Sequence, residues 1–134
     1  MNTEERRKVL ENAKHIAVVG LSDKPHRTSY QITEFLLKAG YEITPVNPTV
    51  SEVLGKKSVD SIGDLPASVD IINVFRRSEY LPALAEEAVK TDIPVFWAQL
   101  GVYDEEAEKL LKKHGKQVEM DSCIKVEHTM LLKN

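Results

Sequence analysis

Short apolar runs alternate along the chain with segments whose apolar residues recur every three or four positions. The runs are typical of buried strands, and the periodic segments are typical of helices that pack one face against a sheet. The predicted strands are residues 16–19, 41–46, 70–75, 94–97 and 117–120. The predicted helices are residues 3–13, 29–39, 79–90 and 104–115, with a last helix after residue 122.

Polar residues at the expected helix starts predict where several helices begin. Thr3, Ser29 and Asp104 are predicted N-caps, because their side-chain oxygens can accept hydrogen bonds from free backbone N–H groups of the first turn. Asp121-Ser122 is predicted to cap the last helix in the same way. Gly40 follows the second helix at the position where glycine commonly ends one.

The region between the second and third predicted strands has a weaker pattern. Gly55-Lys56-Lys57-Ser58 predicts a turn with at most a short edge strand. Residues 61–66 predict a loop or a single helical turn. Neither segment interrupts the alternation of strand and helix.

This alternation predicts an α/β fold with a doubly wound, mostly parallel sheet of five to six strands and helices on both faces. A chain of 134 residues is long enough to bury one core, and it contains no linker, repeat or low-complexity tract. We therefore expect residues 1–134 to form a single domain.

Composition excludes several classes of protein. Hydrophobic residues make up 42% of the chain and charged residues 29%, which is ordinary for a globular protein in water. The net charge of −3 argues against a nucleic-acid surface, and no apolar run approaches the roughly 18 residues of a membrane span. The charged start of the chain does not resemble a signal peptide. The single cysteine, Cys123, rules out an intrachain disulfide and suits a cytoplasmic protein.

The loop after the first predicted strand carries the most informative polar residues. Gly20 ends the apolar run, and Ser22, Lys24 and Arg27 follow before the next helix begins. A helix N-terminus offers unpaired N–H groups and a partial positive charge, and glycine lets a ligand approach them. The loop therefore predicts an anion site.

Other predicted strands end in basic or amide residues as well. Asn47 and Pro48 follow the second strand, Arg76 follows the strand at 70–75, and Gln99 and Gly101 follow the strand at 94–97. Ligands of such sheets lie beyond the carboxyl ends of the strands, where the strand order reverses. Positive and amide groups at one edge are suited to a polyphosphate ligand.

An ordinary NAD site is disfavoured by two features. Gly20 is the only glycine of its loop, whereas the dinucleotide fingerprint has three. The second strand ends in Pro45-Val46-Asn47-Pro48, without the carboxylate that usually binds the ribose 2′-hydroxyl.

Four motifs together resemble one family. Gly20-x-Ser22-Asp23-Lys24-Pro25 with Arg27, Pro45-Val46-Asn47-Pro48, Val74-Phe75-Arg76 and Trp97-x-Gln99-x-Gly101 resemble the standalone CoA-binding proteins. These are single-domain relatives of the CoA-binding domain of succinyl-CoA ligase alpha subunits and of ADP-forming acyl-CoA synthetases. The resemblance extends from about His15 to Glu127 and implies a Rossmann-like fold.

The resemblance also implies which residues contact coenzyme A or an acyl-CoA. The phosphates would be held by Gly20, Ser22, Lys24 and Arg27. The adenosine would lie at Asn47 and Pro48. The passage for the nucleotide or pantetheine would be lined by Phe75 and Arg76, and its far end would be bordered by Gln99 and Gly101.

Other candidate residues have simpler interpretations. Trp97 is predicted to belong to the core and Arg77 to the solvated surface, and the four histidines have no metal-ligand spacing. Cys123 lies at a predicted helix start, where a thiol can gain acidity. Reaction of Cys123 with the CoA thiol therefore stays open beside a structural role.

No catalytic set is recognisable, since the chain has neither a nucleophile elbow nor a P-loop. We therefore expect a non-catalytic CoA-binding carrier, sensor or partner protein, monomeric or weakly self-associating, without nucleic-acid or membrane partners. Alternatives are a small NAD(P)-linked oxidoreductase, a detached acyl-CoA ligase subunit that needs a second chain, and a module that senses ADP or ATP.

Overall fold

The computed structural model describes residues 1–132. Within them the helices are α1 (Thr3–Asn12), α2 (Thr28–Lys38), α3 (Leu81–Ala88), α4 (Glu105–Lys113) and α5 (Ile124–Leu131). The strands are β1 (His15–Val19), β2 (Glu42–Val46), β3 (Glu52–Val53), β4 (Lys56–Lys57), β5 (Ile71–Val74), β6 (Val95–Ala98) and β7 (Gln117–Glu119). Short 3-10 turns cover Ile62–Asp64 and Ser78–Tyr80.

The main sheet has the order β2-β1-β5-β6-β7, and every neighbouring pair in it is parallel. From β1 the chain first moves outward to β2 and then returns to the other side of β1 with β5. The strand order therefore reverses between β1 and β5. The predicted doubly wound α/β fold is confirmed, with a five-stranded sheet.

Each face of the sheet packs on its own set of helices, because successive side chains of a strand point to opposite faces. Ala17, Val19 and Val74 lie in a cluster with residues of α3 and α4, including Leu81 and Leu111. Ile16, Val18 and Ile71 lie in a second cluster with residues of α1, α2 and α5, including Leu10, Leu36 and Ile124. Burial on both faces explains why the strands are continuous apolar runs instead of alternating ones.

Trp97 belongs to the second of these clusters and is fully buried. Its indole N–H donates to Ser122 O at 2.9 Å, which ties β6 to the segment before α5. This agrees with the core role predicted for Trp97.

Two predicted helix caps are wrong at the ends of the chain. Asn2, not Thr3, caps α1: its Oδ1 accepts from Glu5 N, and Glu5 Oε1 accepts from Asn2 N, both at 2.8 Å. The last helix begins after Cys123, beyond Asp121 and Ser122. By contrast, Asp104 caps α4 as predicted, since its Oδ2 accepts from Ala107 N at 2.9 Å.

The predicted edge strand at residues 55–58 is β4, which pairs with β3 as a separate antiparallel hairpin. Leu54 and Gly55 between the two strands have φ values of 53° and 77°. Two positive φ values in a two-residue loop are the requirement of a type I′ turn, whose twist matches paired strands. The hairpin projects from the carboxyl end of β2.

Candidate functional site

The loops after β5 and β6 and the start of α2 border one cleft of about 650 Å³ at the carboxyl edge of the sheet. Its lining includes Thr28, Ile32, Phe75, Arg76, Gln99 and Gly101. The cleft lies beside the point where the strand order reverses, which is where ligands of doubly wound sheets bind.

Gly20 allows the end of β1 to approach the end of β5. Its φ is +80°, and a Cβ built on it would lie 2.7 Å from Phe75 O and 2.9 Å from Arg76 Cδ. Its N–H donates to Val46 O at 3.0 Å. Three strand ends therefore meet at Gly20, and any larger residue would push them apart. The sequence pattern points to a ligand role for Gly20 and gives no sign of this packing role.

The loop after β1 folds back onto the first turn of α2. Ser22 N–H donates to the buried Ser29 Oγ at 3.0 Å, and Lys24 N–H donates to Ser22 Oγ at 3.0 Å. The N-cap of α2 is Arg27, whose side chain makes no capping bond within residues 1–132. The prediction that Ser29 caps this helix is therefore wrong, because Ser29 stabilises the loop.

Without a side-chain cap, the first turn of α2 keeps backbone N–H groups and the positive end of the helix dipole for another acceptor. Thr28, which opens this turn, also lines the cleft. The arrangement is the one that binds phosphate groups at helix starts.

Basic side chains stand around this helix start. Lys24 and Arg27 are exposed. Lys24 Nζ is 3.9 Å from Asp23 Oδ1, and Arg27 forms no ion pair within the described part of the chain. Half-buried Arg76 stacks its guanidinium 4.1 Å above the Tyr80 ring centroid. The Arg27 and Arg76 guanidinium groups therefore carry positive charge that an anion could neutralise.

Arg77 differs from Arg76. Its side chain is 77% exposed, and its Nε lies 3.3 Å from Glu79 Oε1. The hydrogen bond with Tyr80 and the nearby Glu79 carboxylate raise the pKa of Arg77 above its ordinary value. Arg77 is therefore solvent-exposed, as predicted, but it also contributes to the lining of the cleft.

The Asn47 side chain connects the loop after β2 to the loop after β1. Its Nδ2 donates to Leu21 O at 3.0 Å, and its Oδ1 accepts from Thr49 N at 2.9 Å and from Thr49 Oγ1 at 2.7 Å. Asn47 therefore positions the neighbouring Pro48, which is exposed.

Gln99 is buried at the inner wall of the cleft. Its Nε2 donates to Asn73 Oδ1 at 2.5 Å, and its Oε1 accepts from Ile124 N at 3.4 Å. The amide thereby joins β6, β5 and the start of α5. Asn73 Nδ2 is buried and has no hydrogen-bond partner within residues 1–132.

The far rim of the cleft is braced around Gly101. Gly101 N donates to Asp121 Oδ1 at 2.7 Å, and Ser78 Oγ donates to Gly101 O at 3.5 Å. Tyr103 N donates to Ser78 Oγ at 2.9 Å. These bonds hold the loops after β5 and β6 against the segment before α5.

The structure brings most of the predicted site residues to one edge, but not into one cavity. Phe75, Arg76, Gln99 and Gly101 line the cleft. Gly20 contacts two of these, and Ser22, Lys24 and Arg27 lie in the loop beside it. Asn47 holds that loop from the β2 side, and Pro48 lines a second cavity next to the β3–β4 hairpin.

Sequence reasoning missed Thr28, Ile32, Ser78 and Val102 as lining residues. Thr28 and Ile32 lie on the helix that follows the phosphate-type loop, so the helical repeat could have suggested them. Ser78 and Val102 had no signal, because their position depends on how two loops meet. Cys123 also lines the cleft, at the N-cap of α5.

Two further observations concern membrane insertion and metal binding. No helix within residues 1–132 combines the length and apolar character needed to cross a bilayer. In the same residues, no three histidine, cysteine, aspartate or glutamate side chains are grouped so that they could hold a metal ion.

Comparison with known proteins gives matches along nearly the whole chain. A family model described as a CoA binding domain matches residues 14–129. The protein YneT of Bacillus subtilis is 54% identical over 94% of this chain and 93% of its own. The alpha subunit of ADP-forming acetate–CoA ligase I of Pyrococcus furiosus is 31% identical over 74% of this chain.

The ligase subunit is much longer, since the match covers 23% of its length. Among solved structures, a hypothetical protein from Pyrococcus horikoshii OT3 is 34% identical, with a TM-score of 0.94. That match covers 98% of this chain and 93% of the other. The two proteins thus share the same fold over nearly the whole length of both chains.

Proposed function

Because the chain belongs to the CoA-binding domain family and is related to subunits of ADP-forming CoA ligases, we propose that it binds coenzyme A or an acyl-CoA at the carboxyl edge of its sheet. The observation that carries the proposal is the uncapped start of α2 beside Gly20, at the mouth of the cleft. A diphosphate at this helix start would meet free N–H groups and nearby cationic side chains.

The residues present fit such a ligand. Gly20 lets the phosphate-type loop lie against the end of β5, next to Phe75 and Arg76 of the cleft, and Arg27 and Lys24 can supply charge to the phosphates. Arg76 already lies at the cleft and is held by an aromatic ring instead of a carboxylate. Moving it to a phosphate would therefore not break an ion pair.

The ligand would lie across the strand ends. Adenosine would occupy the β2 side at Asn47 and Pro48, and the diphosphate would lie at Gly20, Ser22, Lys24 and Arg27. The pantetheine arm would enter the cleft between Phe75 and Gln99 and reach toward Gly101. The apolar side chains of Ile32, Phe75 and Val102 suit this arm better than a second charged group.

We propose a non-catalytic role as a carrier, sensor or partner protein. No group of the cleft combines a nucleophile with a base in hydrogen-bond contact among residues 1–132, and Gln99 is engaged by Asn73 and Ile124. A second candidate is favoured by the relation to ligase alpha subunits: a detached ligase subunit that acts with another chain.

The test is native mass spectrometry of the purified protein, followed by calorimetric titration with CoA, acetyl-CoA, NADH and ADP. The proposal expects a CoA-sized ligand or clear binding of CoA, with weaker binding of ADP and NADH. Binding of NADH without binding of CoA would instead support the oxidoreductase. Acyl-CoA formation that depends on an added partner chain would support the ligase subunit.

Arg27→Ala should weaken CoA binding by about 1.5–3 kcal/mol, because a charge-assisted phosphate contact is lost. The melting temperature should change little, since Arg27 is exposed and forms no ion pair within the described residues. Arg7→Ala is the matched control: Arg7 lies on α1, paired with Glu4 and Glu11. Equal effects of the two substitutions on CoA affinity would contradict the assignment of Arg27.

A further inference from the structure

Two adjacent arginines in the loop after β5 have different surroundings. Arg77 is exposed and lies next to the Glu79 carboxylate, with 3.3 Å between Nε and Oε1. Arg76 is half-buried and lines the cleft, and its side chain forms neither an ion pair nor a hydrogen bond with any of residues 1–132. The Arg77 guanidinium therefore already has an anionic partner, whereas the Arg76 guanidinium has none in the described chain.

The side chain of Arg76 lies between the loop after β1 and the far rim of the cleft. Its stem packs against Gly20, since a Cβ built on that glycine would be 2.9 Å from Arg76 Cδ and 3.2 Å from Arg76 Cγ. Its guanidinium lies over the Tyr80 ring, with Cζ 4.1 Å from the ring centroid. Two separate parts of the site thus hold the two ends of this side chain.

The backbone around Tyr80 is fixed to the rim of the cleft. Tyr80 is the last residue of the 3-10 turn Ser78–Tyr80. In the same turn, Ser78 Oγ accepts from Tyr103 N at 2.9 Å and donates to Gly101 O at 3.5 Å. These bonds attach the turn to the loop after β6. The Tyr80 ring, which is 37% exposed, therefore starts from a well-defined position beside the cleft.

An aromatic partner leaves an arginine free to bind an anion, and a carboxylate partner does not. Stacking engages the flat face of the guanidinium with the π electrons of the ring. The five N–H donors lie in the plane of the group, so stacking does not occupy them. None of the Arg76 nitrogens is buried without a partner in the described part of the chain, so they are open to solvent. Both the charge and the donors of Arg76 are available to a ligand.

Building on the function proposed above, we propose that Tyr80 is a positioning residue of the site: its ring holds the Arg76 guanidinium at the cleft, with charge and donors free for the diphosphate of CoA. Thr28, the first residue of α2, lines the same cleft, so the helix start and Arg76 can act on one anion. Tyr80 acts through Arg76, because an arginine that is already held loses less conformational entropy when the ligand binds.

The experiment measures CoA affinity by calorimetric titration of the full chain and its variants. Tyr80→Leu removes the ring and should weaken CoA binding about fivefold. Tyr80→Phe keeps the ring and loses only the hydroxyl that accepts from Arg77 Nη2 at 3.4 Å. It should bind CoA within about twofold of the wild type. Tyr103→Leu is the matched control, since Tyr103 is an exposed tyrosine of the same rim without a cation over its ring among residues 1–132. It should leave CoA affinity unchanged.

A double-mutant cycle separates an effect through Arg76 from a general effect on the fold. Arg76→Gln alone should weaken CoA binding about tenfold or more, because a charge-assisted phosphate contact is lost. Adding Tyr80→Leu to Arg76→Gln should change CoA affinity by less than about twofold, since the ring then has no guanidinium to hold. CoA affinity should also fall less steeply with added NaCl in Tyr80→Leu than in the wild type, as in Arg76→Gln.

Failure of the positioning role is distinct from failure of the proposed function. If the wild type binds CoA and Tyr80→Leu binds it equally well or more tightly, the positioning role is wrong and CoA binding stands. Equal losses in Tyr80→Leu and Tyr80→Phe, or in Tyr80→Leu and Tyr103→Leu, would also overturn it. So would a loss from Tyr80→Leu that is the same with and without Arg76→Gln. If the wild type does not bind CoA, both proposals are wrong.

Discussion

Gly20 combines two constraints that are usually separate. Its positive φ disfavours any L side chain, and its missing Cβ leaves space for Phe75 O from the neighbouring strand. Gly115, after α4, has a nearly identical φ of +78°, but a Cβ there would meet no described atom within 4 Å. A comparison of substitutions at Gly20 and Gly115 therefore distinguishes the cost of backbone strain from the cost of close packing.

Gly20→Ala should lower the free energy of unfolding by about 3 kcal/mol, because left-handed strain adds to a clash with backbone atoms. Gly115→Ala should cost about 1 kcal/mol, from strain alone. Urea unfolding of both variants measures the difference. Equal losses would mean that the contact between Gly20 and Phe75 relaxes without cost.

At the scale of elements, α2 and the loop before it form one unit. Buried Ser29 on α2 accepts from Ser22 N–H in the loop, although Ser29 is not the cap of the helix. The helix start thus remains free for a ligand while the loop is held in place. A helix with a side-chain cap here would satisfy its own N–H groups and bind anions less well.

Ser29→Ala should lower the free energy of unfolding by about 1–2 kcal/mol, because the Ser22 N–H loses its acceptor. Hydrogen exchange of the Ser22 amide should accelerate. Thr28→Ala, at the exposed neighbouring position, is the control and should change stability by less than about 0.5 kcal/mol. Unchanged exchange at Ser22 in Ser29→Ala would refute this role.

At the scale of the whole molecule, α5 closes one face of the fold by contacts with α1 and α2. His128 on α5 lies edge-on to Phe35 and Tyr41, with ring centroids 5.4 Å and 5.7 Å away. Burial lowers the pKa of His128 below its ordinary value of 6.5 and raises the pKa of Tyr41 to about 12. The packing of α5 therefore favours a neutral imidazole.

The stability of the fold should consequently decrease as pH falls below about 6.5, because the unfolded chain binds a proton at His128 more readily than the folded chain. The stabilising contribution of neutral His128 is complete above pH 6.5, and it is lost as the pH falls through the lower pKa that His128 has in the folded state. In His128→Gln, melting temperatures measured between about pH 7.5 and 5 should depend less on pH. His26→Gln, in an exposed loop, should retain the wild-type dependence.

Much of the fold was predictable from the sequence, because burial imposes a visible pattern. Strands buried on both faces must be continuous apolar runs, so β1 and β5 were located to within a residue. Helix caps were less predictable: Thr3 and Ser29 have suitable side chains, yet Asn2 and Arg27 occupy the cap positions. A shift of one or two residues in the helix start reverses such an assignment.

The candidate site was predicted in part, for a reason of geometry. Residues directly after strands must lie at one edge of a parallel sheet, so Gly20, Arg76 and Gln99 could be grouped in advance. The partner of Gln99 is Asn73, which looked like an ordinary strand residue. The position of Lys57 at the cavity beside the hairpin had no signal in the sequence, since it depends on how the hairpin folds back to β2.

The sequence by itself determined which segments are strands and helices and that their polar ends share an edge, because periodicity and chain direction are local properties. Only the tertiary structure decided where the strand order reverses, how closely Gly20 approaches Phe75 and which lysine lines the hairpin cavity. These features depend on contacts between residues far apart in the chain, and such contacts leave no periodic trace in it.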